Sequence, residues 1–118
     1  MADNDEKLDR EAIYKEFKEV TNLPPAELSE WLDTDDSRSA GWKGKSGGET
    51  IGHATGRRIV QIKQKTKDEL PDDDYHHMRK VIGYVHRHAA QGGPAEDKQD
   101  SRWRHSLMNW GHDPLRKD

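Results

Sequence analysis

The 118-residue sequence contains no cysteine, and only 30% of its residues are hydrophobic. The absence of cysteine excludes disulfide bonds and any zinc site built on thiolates. No apolar run reaches the roughly 20 residues that a membrane-spanning helix needs. The acidic first residues also lack the pattern of a signal peptide. We therefore expect one small domain with a limited core, in a soluble intracellular protein of the cytoplasm or nucleus that has no membrane partner.

Charged residues are abundant, at 36% of the chain, and they are distributed unevenly. Residues 1–36 hold 12 acidic and 4 basic side chains, whereas residues 37–68 hold 8 basic and 2 acidic ones. The whole chain has a net charge of −3, so it is not a polycation. A local basic patch could still bind phosphate, because screening over about 8–10 Å hides a distant acidic segment. The alternative interpretation is that both blocks are ordinary solvated surfaces.

Hydrophobic periodicity predicts five helices and no strand. The segments with helical spacing of apolar residues are 9–21, 25–32, 49–66, 72–91 and 101–109. The fourth has the most complete boundary signals, with Pro71 before it, acidic residues in its first turn, and Gly92 and Gly93 after it. Gly111 is placed to end the fifth helix in the same way. The predicted fold class is therefore all-α, a single compact globule of about five helices.

The segments between these helices predict the organisation of the domain. Residues 1–8 are predicted to form a disordered acidic tail, and residues 9–116 a single helical domain. A long loop containing glycine and serine, residues 33–49, separates the second and third helices, and a polar linker, residues 92–100, separates the last two. Such a long loop in a compact domain is usually functional or disordered. Much of the core is expected to come from the four tryptophans, Trp31, Trp42, Trp103 and Trp110.

The third predicted helix has two chemically different sides. At 100° per residue, one sector collects the side chains that we expect to face the core, namely Ile51, Thr55, Ile59 and Ile62. The opposite sector carries basic and amide side chains. Arginine and glutamine can bind base edges, and every basic side chain can bind phosphate. We therefore predict a nucleic-acid-binding surface made of Arg57, Arg58, Gln61, Lys63, Gln64, Lys65 and the upstream loop residues Lys43 and Lys45.

Other site chemistries receive less support from the residue spacing. His76 and His77 are not three or four residues from His86 or His88, so the helix does not pair them as metal ligands. The acidic runs 35–36 and 72–74 are interpreted as solvated positions. No nucleophile and base stand in a recognisable catalytic pattern. The sequence therefore predicts no enzyme, no metal site and no cofactor.

Gly52 and Gly56 have two readings. Their spacing suggests a phosphate-binding loop, but no Gly-Lys-Ser/Thr follows and no strand precedes them. The other reading is that two small residues let neighbouring helices approach closely. We favour the second.

Four segments of the chain, 26–32, 52–60, 77–82 and 103–115, occur in an order that resembles a known family. Together they resemble the short bacterial and fungal proteins grouped as domain of unknown function 3140, over about residues 10–116. The closing Trp-Gly-His-Asp-Pro-Leu, residues 110–115, is the most specific piece. Members are commonly labelled DNA-binding, so the resemblance implies DNA as a partner, without implying particular binding residues.

Two functional hypotheses follow from the sequence. The first is a small helical DNA-binding or DNA-associated protein that contacts mainly the phosphate backbone through a basic helix face. The second is a non-enzymatic protein-interaction or stress-related helical module that does not bind nucleic acid, in which the acidic helix 9–21 and the acidic tail would meet basic partners.

Overall fold

The computed structural model describes residues 9–40, 49–95 and 98–116. Within these ranges the chain forms six α-helices and no strand, which confirms the all-α class. The helices are α1 (Arg10–Val20), α2 (Pro25–Leu32), α3 (Asp35–Ser39), α4 (Ile51–Lys63), α5 (Asp72–Ala90) and α6 (Arg102–Asn109). A single 3-10 turn, Lys67–Glu69, lies between α4 and α5.

Helix α3 lies in a segment that the sequence predicted to be loop. The hydroxyl of Thr34 accepts a hydrogen bond from the backbone N–H of Ser37 at 3.1 Å. Asp35 and Asp36 fill the first turn, where the helix dipole favours negative charge. Five residues are too few to show a hydrophobic period, so only these capping residues indicate the helix. The prediction of five helices was one helix short, and the loop prediction was wrong for residues 35–39.

Local capping explains where the longer helices begin and end. The side chains of Asp9, Thr50 and Ser101 each accept a hydrogen bond from a backbone N–H in the first turn that follows them. Gly92 and Gly111 follow α5 and α6 with φ of +81° and +83°, the left-handed conformation that glycine adopts without strain. The predicted glycine ends of both helices are confirmed.

Two packed helix pairs and one bridging helix build the domain. Helix α1 packs along α5, and α2 packs along α4, while α6 contacts α2, α3, α4 and α5. Their apolar faces meet in one core. Its most buried hydrophobic members include Phe17, Leu28, Ile59, Met78, Val81 and Leu107.

The predicted core residues differ in how deeply they are buried. Trp110 is buried, whereas Trp31 and Trp103 are half-buried against the core, and Trp42 lies outside the described residues. The prediction that Ile51 faces the core is wrong, since this side chain is 45% exposed. Ile51 lies in the first turn of α4, at the edge of its apolar stripe. The neighbouring helices do not cover this edge.

Candidate nucleic-acid interface

The exposed side of α4 carries most of the polar side chains that the helical period placed there. Arg57, Gln61, Gln64 and Lys65 are exposed, and Arg58 is half-buried at their edge. These side chains therefore share one side of the helix. What differs from the sequence prediction is the set of groups that they contact.

Arg57 is bound by a carboxylate that lies just before its own helix. Its Nε donates to Glu49 Oε2 at 2.7 Å, and its Nη2 donates to the second oxygen. His53 Nδ1 contacts the same carboxylate, and its Nε2 lies 2.6 Å from the carbonyl oxygen of Leu32. The bond from Arg57 is the main cause that lowers the pKa of Glu49 to about 2. Glu49 is therefore an ionised group that two basic side chains share.

Arg58 and Lys65 meet at one nearly buried carboxylate. Asp74 is only 4% exposed, and it accepts hydrogen bonds from Arg58 Nη2 at 3.2 Å and Lys65 Nζ at 2.7 Å. Burial raises the pKa of Asp74, but the bonds from Lys65 and Arg58 outweigh that effect and lower it. The prediction that residues 72–74 are all solvated is wrong for Asp74, because the first turn of α5 directs this side chain toward α4.

Lys63 does not share the exposed side of α4 with Arg57 and Gln61. It lies on the buried side of α4 at the end of the helix, and its Nζ donates to the carbonyl oxygen of Thr21 at 2.6 Å. Burial is the main cause that lowers its pKa to about 8, and the neighbouring Lys18 lowers it further. Lys63 therefore links α4 to the end of α1.

The structure brings the predicted site residues together only in part. Carboxylates hold Arg57, Arg58 and Lys65, so the surface of α4 is less positive than the charges of the helix alone indicate. Both carboxylates come from outside the helix. Lys43 and Lys45 lie outside the described residues.

Three exposed cations on α5 were missed by the sequence prediction. Arg79, Lys80 and Arg87 are exposed, and no described carboxylate forms an ion pair with any of them. His76 lies on the same exposed side. The available signal was that residues 75–95 contain three cations and no acidic residue.

His77 connects the cationic surfaces of α4 and α5. Its ring is half-buried, and in the described part of the chain its Nδ1 has no hydrogen-bond partner. Burial is the main cause that lowers its pKa to about 4, and the positive charges of Arg58 and Lys80 lower it further. Arg58 of α4 also donates to Asp74 of α5, three residues before His77, so the exposed surfaces of the two helices adjoin at this point.

We expect this imidazole to destabilise the protein in mild acid. The unfolded chain takes up a proton at His77 near pH 6.5, whereas the folded protein resists it down to about pH 4. Because the unfolded state binds more protons in this window, the free energy of unfolding falls as the pH falls. Urea unfolding at pH 7 and pH 5 should show a loss of about 1 kcal/mol from this group, less than full linkage gives, since the ring is partly solvated.

Two single substitutions at adjacent histidines, His77 and His76, serve as the test and the control for this experiment. His77→Gln should lose less stability between pH 7 and pH 5 than the wild type. His76→Gln changes an exposed neighbour and should keep the wild-type loss. An identical pH dependence in the wild type and His77→Gln would contradict the assignment.

A cluster of metal-ligating side chains and a membrane-spanning helix are both absent from the described residues. In the ranges 9–40, 49–95 and 98–116, no three histidine, aspartate or glutamate side chains lie close enough together to hold a metal ion. The helices of these ranges are too short or too polar to cross a bilayer.

Comparison with known proteins yields one match. A family described as "Protein of unknown function (DUF3140)" matches residues 16–108, from the second half of α1 to nearly the end of α6. No curated protein and no solved structure matches the chain significantly. The description of the family gives no activity or ligand.

Proposed function

The chain belongs to the family of proteins of unknown function DUF3140, and from its surface chemistry we propose that it binds DNA through the phosphate backbone. The observation that carries this proposal is that Arg58 and Lys65 of α4 both bond to Asp74 of α5, which brings the cationic surfaces of the two helices together. Residues 50–66 and residues 75–95 each contain basic side chains and no acidic one. DNA phosphates are the polyanion that such a surface would bind.

The ion pair of Arg57 is compatible with phosphate binding. Arg57 is exposed, and exposed ion pairs contribute only about 0–1 kcal/mol to stability, so a phosphate can replace the carboxylate. Glu49 would keep His53 as its partner after this exchange. Gln61 and Gln64 lie on the same exposed side and can donate hydrogen bonds to phosphates or base edges.

Asp74 positions two further cations, Arg58 and Lys65, for contact with phosphate. The side chains of Arg58 and Lys65 remain 41% and 39% exposed although both bind Asp74. A guanidinium has five N–H donors, so one bond to Asp74 leaves others for phosphate. Lys80 then extends the surface onto α5. Lys63 is left out of this surface, because its amine binds the end of α1.

A salt titration with a 20-base-pair duplex tests the proposal. The variant Arg57→Gln/Lys80→Gln removes one cation from each helix without touching Asp74. Each lost phosphate contact lowers the slope of log affinity against log salt by about 0.9, so the slope should fall by about 2 and the affinity at low salt about tenfold or more. Fluorescence anisotropy of a labelled duplex measures both quantities.

The matched control has the same change in net charge. Lys15→Gln/Lys98→Gln removes two exposed cations from α1 and from the segment before α6. It should keep nearly the wild-type slope and affinity. Equal losses in the two double variants would show that net charge, and not this surface, determines binding. A wild-type protein without salt-dependent duplex binding would refute the proposal.

The alternative, a protein-interaction module, has no specific observation in its favour. Among the described residues, the large hydrophobic side chains left exposed are Ile51 and Leu115, at 45% and 39%. Isolated exposed side chains of this kind are common on protein surfaces. The failure of the duplex experiment would make this alternative the leading hypothesis.

A further inference from the structure

A cleft with three lysines opens between α1 and the last turn of α4. Its volume is about 200 Å³. The side chains of Tyr14, Phe17 and Ile62 form apolar walls, and the lysines are Lys18, Lys63 and Lys65. We call this feature the lysine cleft. No acidic side chain lines it, and of its lining residues Lys65 also belongs to the proposed DNA surface.

The amine of Lys63 lacks a counterion in this cleft. In the described part of the chain its partner is the carbonyl oxygen of Thr21, at 2.6 Å, and no carboxylate forms an ion pair with it. Nearby lysines on the same side of the domain do have such partners, since Lys65 binds Asp74 and Lys67 binds Glu11. Even a half-buried ammonium without a negative partner is costly, and an anion that entered the cleft would reduce that cost.

A second lysine, Lys18, adds to the uncompensated positive charge of the cleft. Lys18 Nζ lies 5.2 Å from the centre of the Tyr14 ring, and no described carboxylate pairs with it. Its positive charge also lowers the pKa of Lys63. The bond of Lys63 to Thr21 explains why one amine is held at the end of α1. It does not explain a second ammonium on the same cleft, since like charges repel.

We infer that the lysine cleft binds the phosphate group of a small phosphorylated ligand between Lys18 and Lys63. The apolar part of the ligand would lie against Tyr14 and Phe17. A cleft of about 200 Å³ has room for a phosphate with one small ring, and little more. This inference goes beyond DNA binding. A phosphate of the DNA backbone has the same chemistry, so the experiment must separate the two sources.

Phenyl phosphate is a suitable probe, because it joins a phosphate to one aromatic ring. Titrated into the full-length protein, it should shift the NMR signals of Tyr14, Phe17 and Lys63. The bound dianion should also raise the pKa of Lys63 from about 8 toward the ordinary lysine value. Benzyl alcohol, which keeps the ring without the phosphate, should leave these signals unchanged.

Lys18→Met is the main variant, because methionine keeps most of the apolar stem and Lys18 has no carboxylate partner among the described residues to lose. It should weaken phenyl phosphate binding about fivefold. Lys15→Met, an exposed lysine of the same helix that does not line the cleft, should bind as the wild type does. Equal binding by Lys18→Met and the wild type would overturn the inference, and so would equal binding of benzyl alcohol.

Competition with the duplex distinguishes the two phosphate sources. A small ligand with its own site should remain bound when excess duplex is added. If the duplex displaces phenyl phosphate, and Lys18→Met weakens both to the same degree, the cleft belongs to the DNA surface and the small-ligand inference is wrong. Loss of duplex binding in Arg57→Gln/Lys80→Gln tests the proposed function separately, since neither residue lines the cleft.

Discussion

Replacing Asn109 with alanine should lower the free energy of unfolding by about 3 kcal/mol. Asn109 is completely buried. Its Oδ1 accepts hydrogen bonds from Trp31 Nε1, at 2.7 Å, and from the hydroxyl of Ser37. Its Nδ2 donates to the carbonyl oxygen of Ser37 at 3.0 Å. One amide thus joins α2, α3 and α6, and its loss leaves the indole N–H of Trp31 in α2 and the hydroxyl and carbonyl groups of Ser37 in α3 without this partner.

Urea unfolding followed by circular dichroism measures this cost. Gln64→Ala, which removes an exposed amide at the end of α4, should change the stability by no more than about 0.5 kcal/mol. In a Ser37→Ala background the cost of Asn109→Ala should fall by about 1 kcal/mol, because the two side chains share a hydrogen bond. An equal cost in both backgrounds would contradict the proposed link between α3 and α6.

Replacing Gly56 with alanine should destabilise the protein by about 2–3 kcal/mol, although alanine is the better helix former. A Cβ at this position would lie 2.5 Å from the backbone oxygen of Asn109 and 2.8 Å from Leu32 Cδ2. A backbone oxygen cannot rotate away as a side chain can. Either α4 or α6 must therefore shift, and the contact of α4 with both α2 and α6 loosens.

Gly83 supplies the matched control inside another helix. A Cβ there would meet chiefly the flexible guanidinium of Arg87, at 3.0 Å. Gly83→Ala should therefore stabilise the protein by about 0.5–1 kcal/mol through helix propensity alone. Thermal or urea unfolding of the two variants should give changes of opposite sign. Stabilisation by both substitutions would disprove the close approach of α4 to α6.

The reading of Gly52 and Gly56 as packing residues agrees with these contacts. A Cβ on Gly52 would lie 3.1 Å from Trp110 Nε1, so both glycines face α6 or its end. The spacing of four residues indicated that the two share a side of the helix. It did not indicate which helix covers that side, because α6 is more than 40 residues away in the sequence.

The cations of α4 show a different limit of sequence analysis. The helical period placed Arg57, Gln61 and Gln64 correctly on the exposed side. It did not show that Glu49 would bind Arg57, or that Asp74 would bind Arg58 across two helices. Helical periodicity specifies the direction in which a side chain points around the axis of its own helix. An ion pair depends on where a second element lies relative to that axis.

The sequence by itself determined the all-α class, most helix boundaries and the exposed side of α4. These features follow from interactions within a few residues, such as capping, helical period and glycine in the left-handed conformation. The tertiary structure alone decided that Asp74 is buried, that Asn109 joins three helices, and that Lys63 enters a cleft with Lys18. Each of these features depends on how helices that are distant in the sequence pack together. Burial of the apolar surface of the whole chain fixes that packing, whereas the spacing of residues within one helix does not specify it.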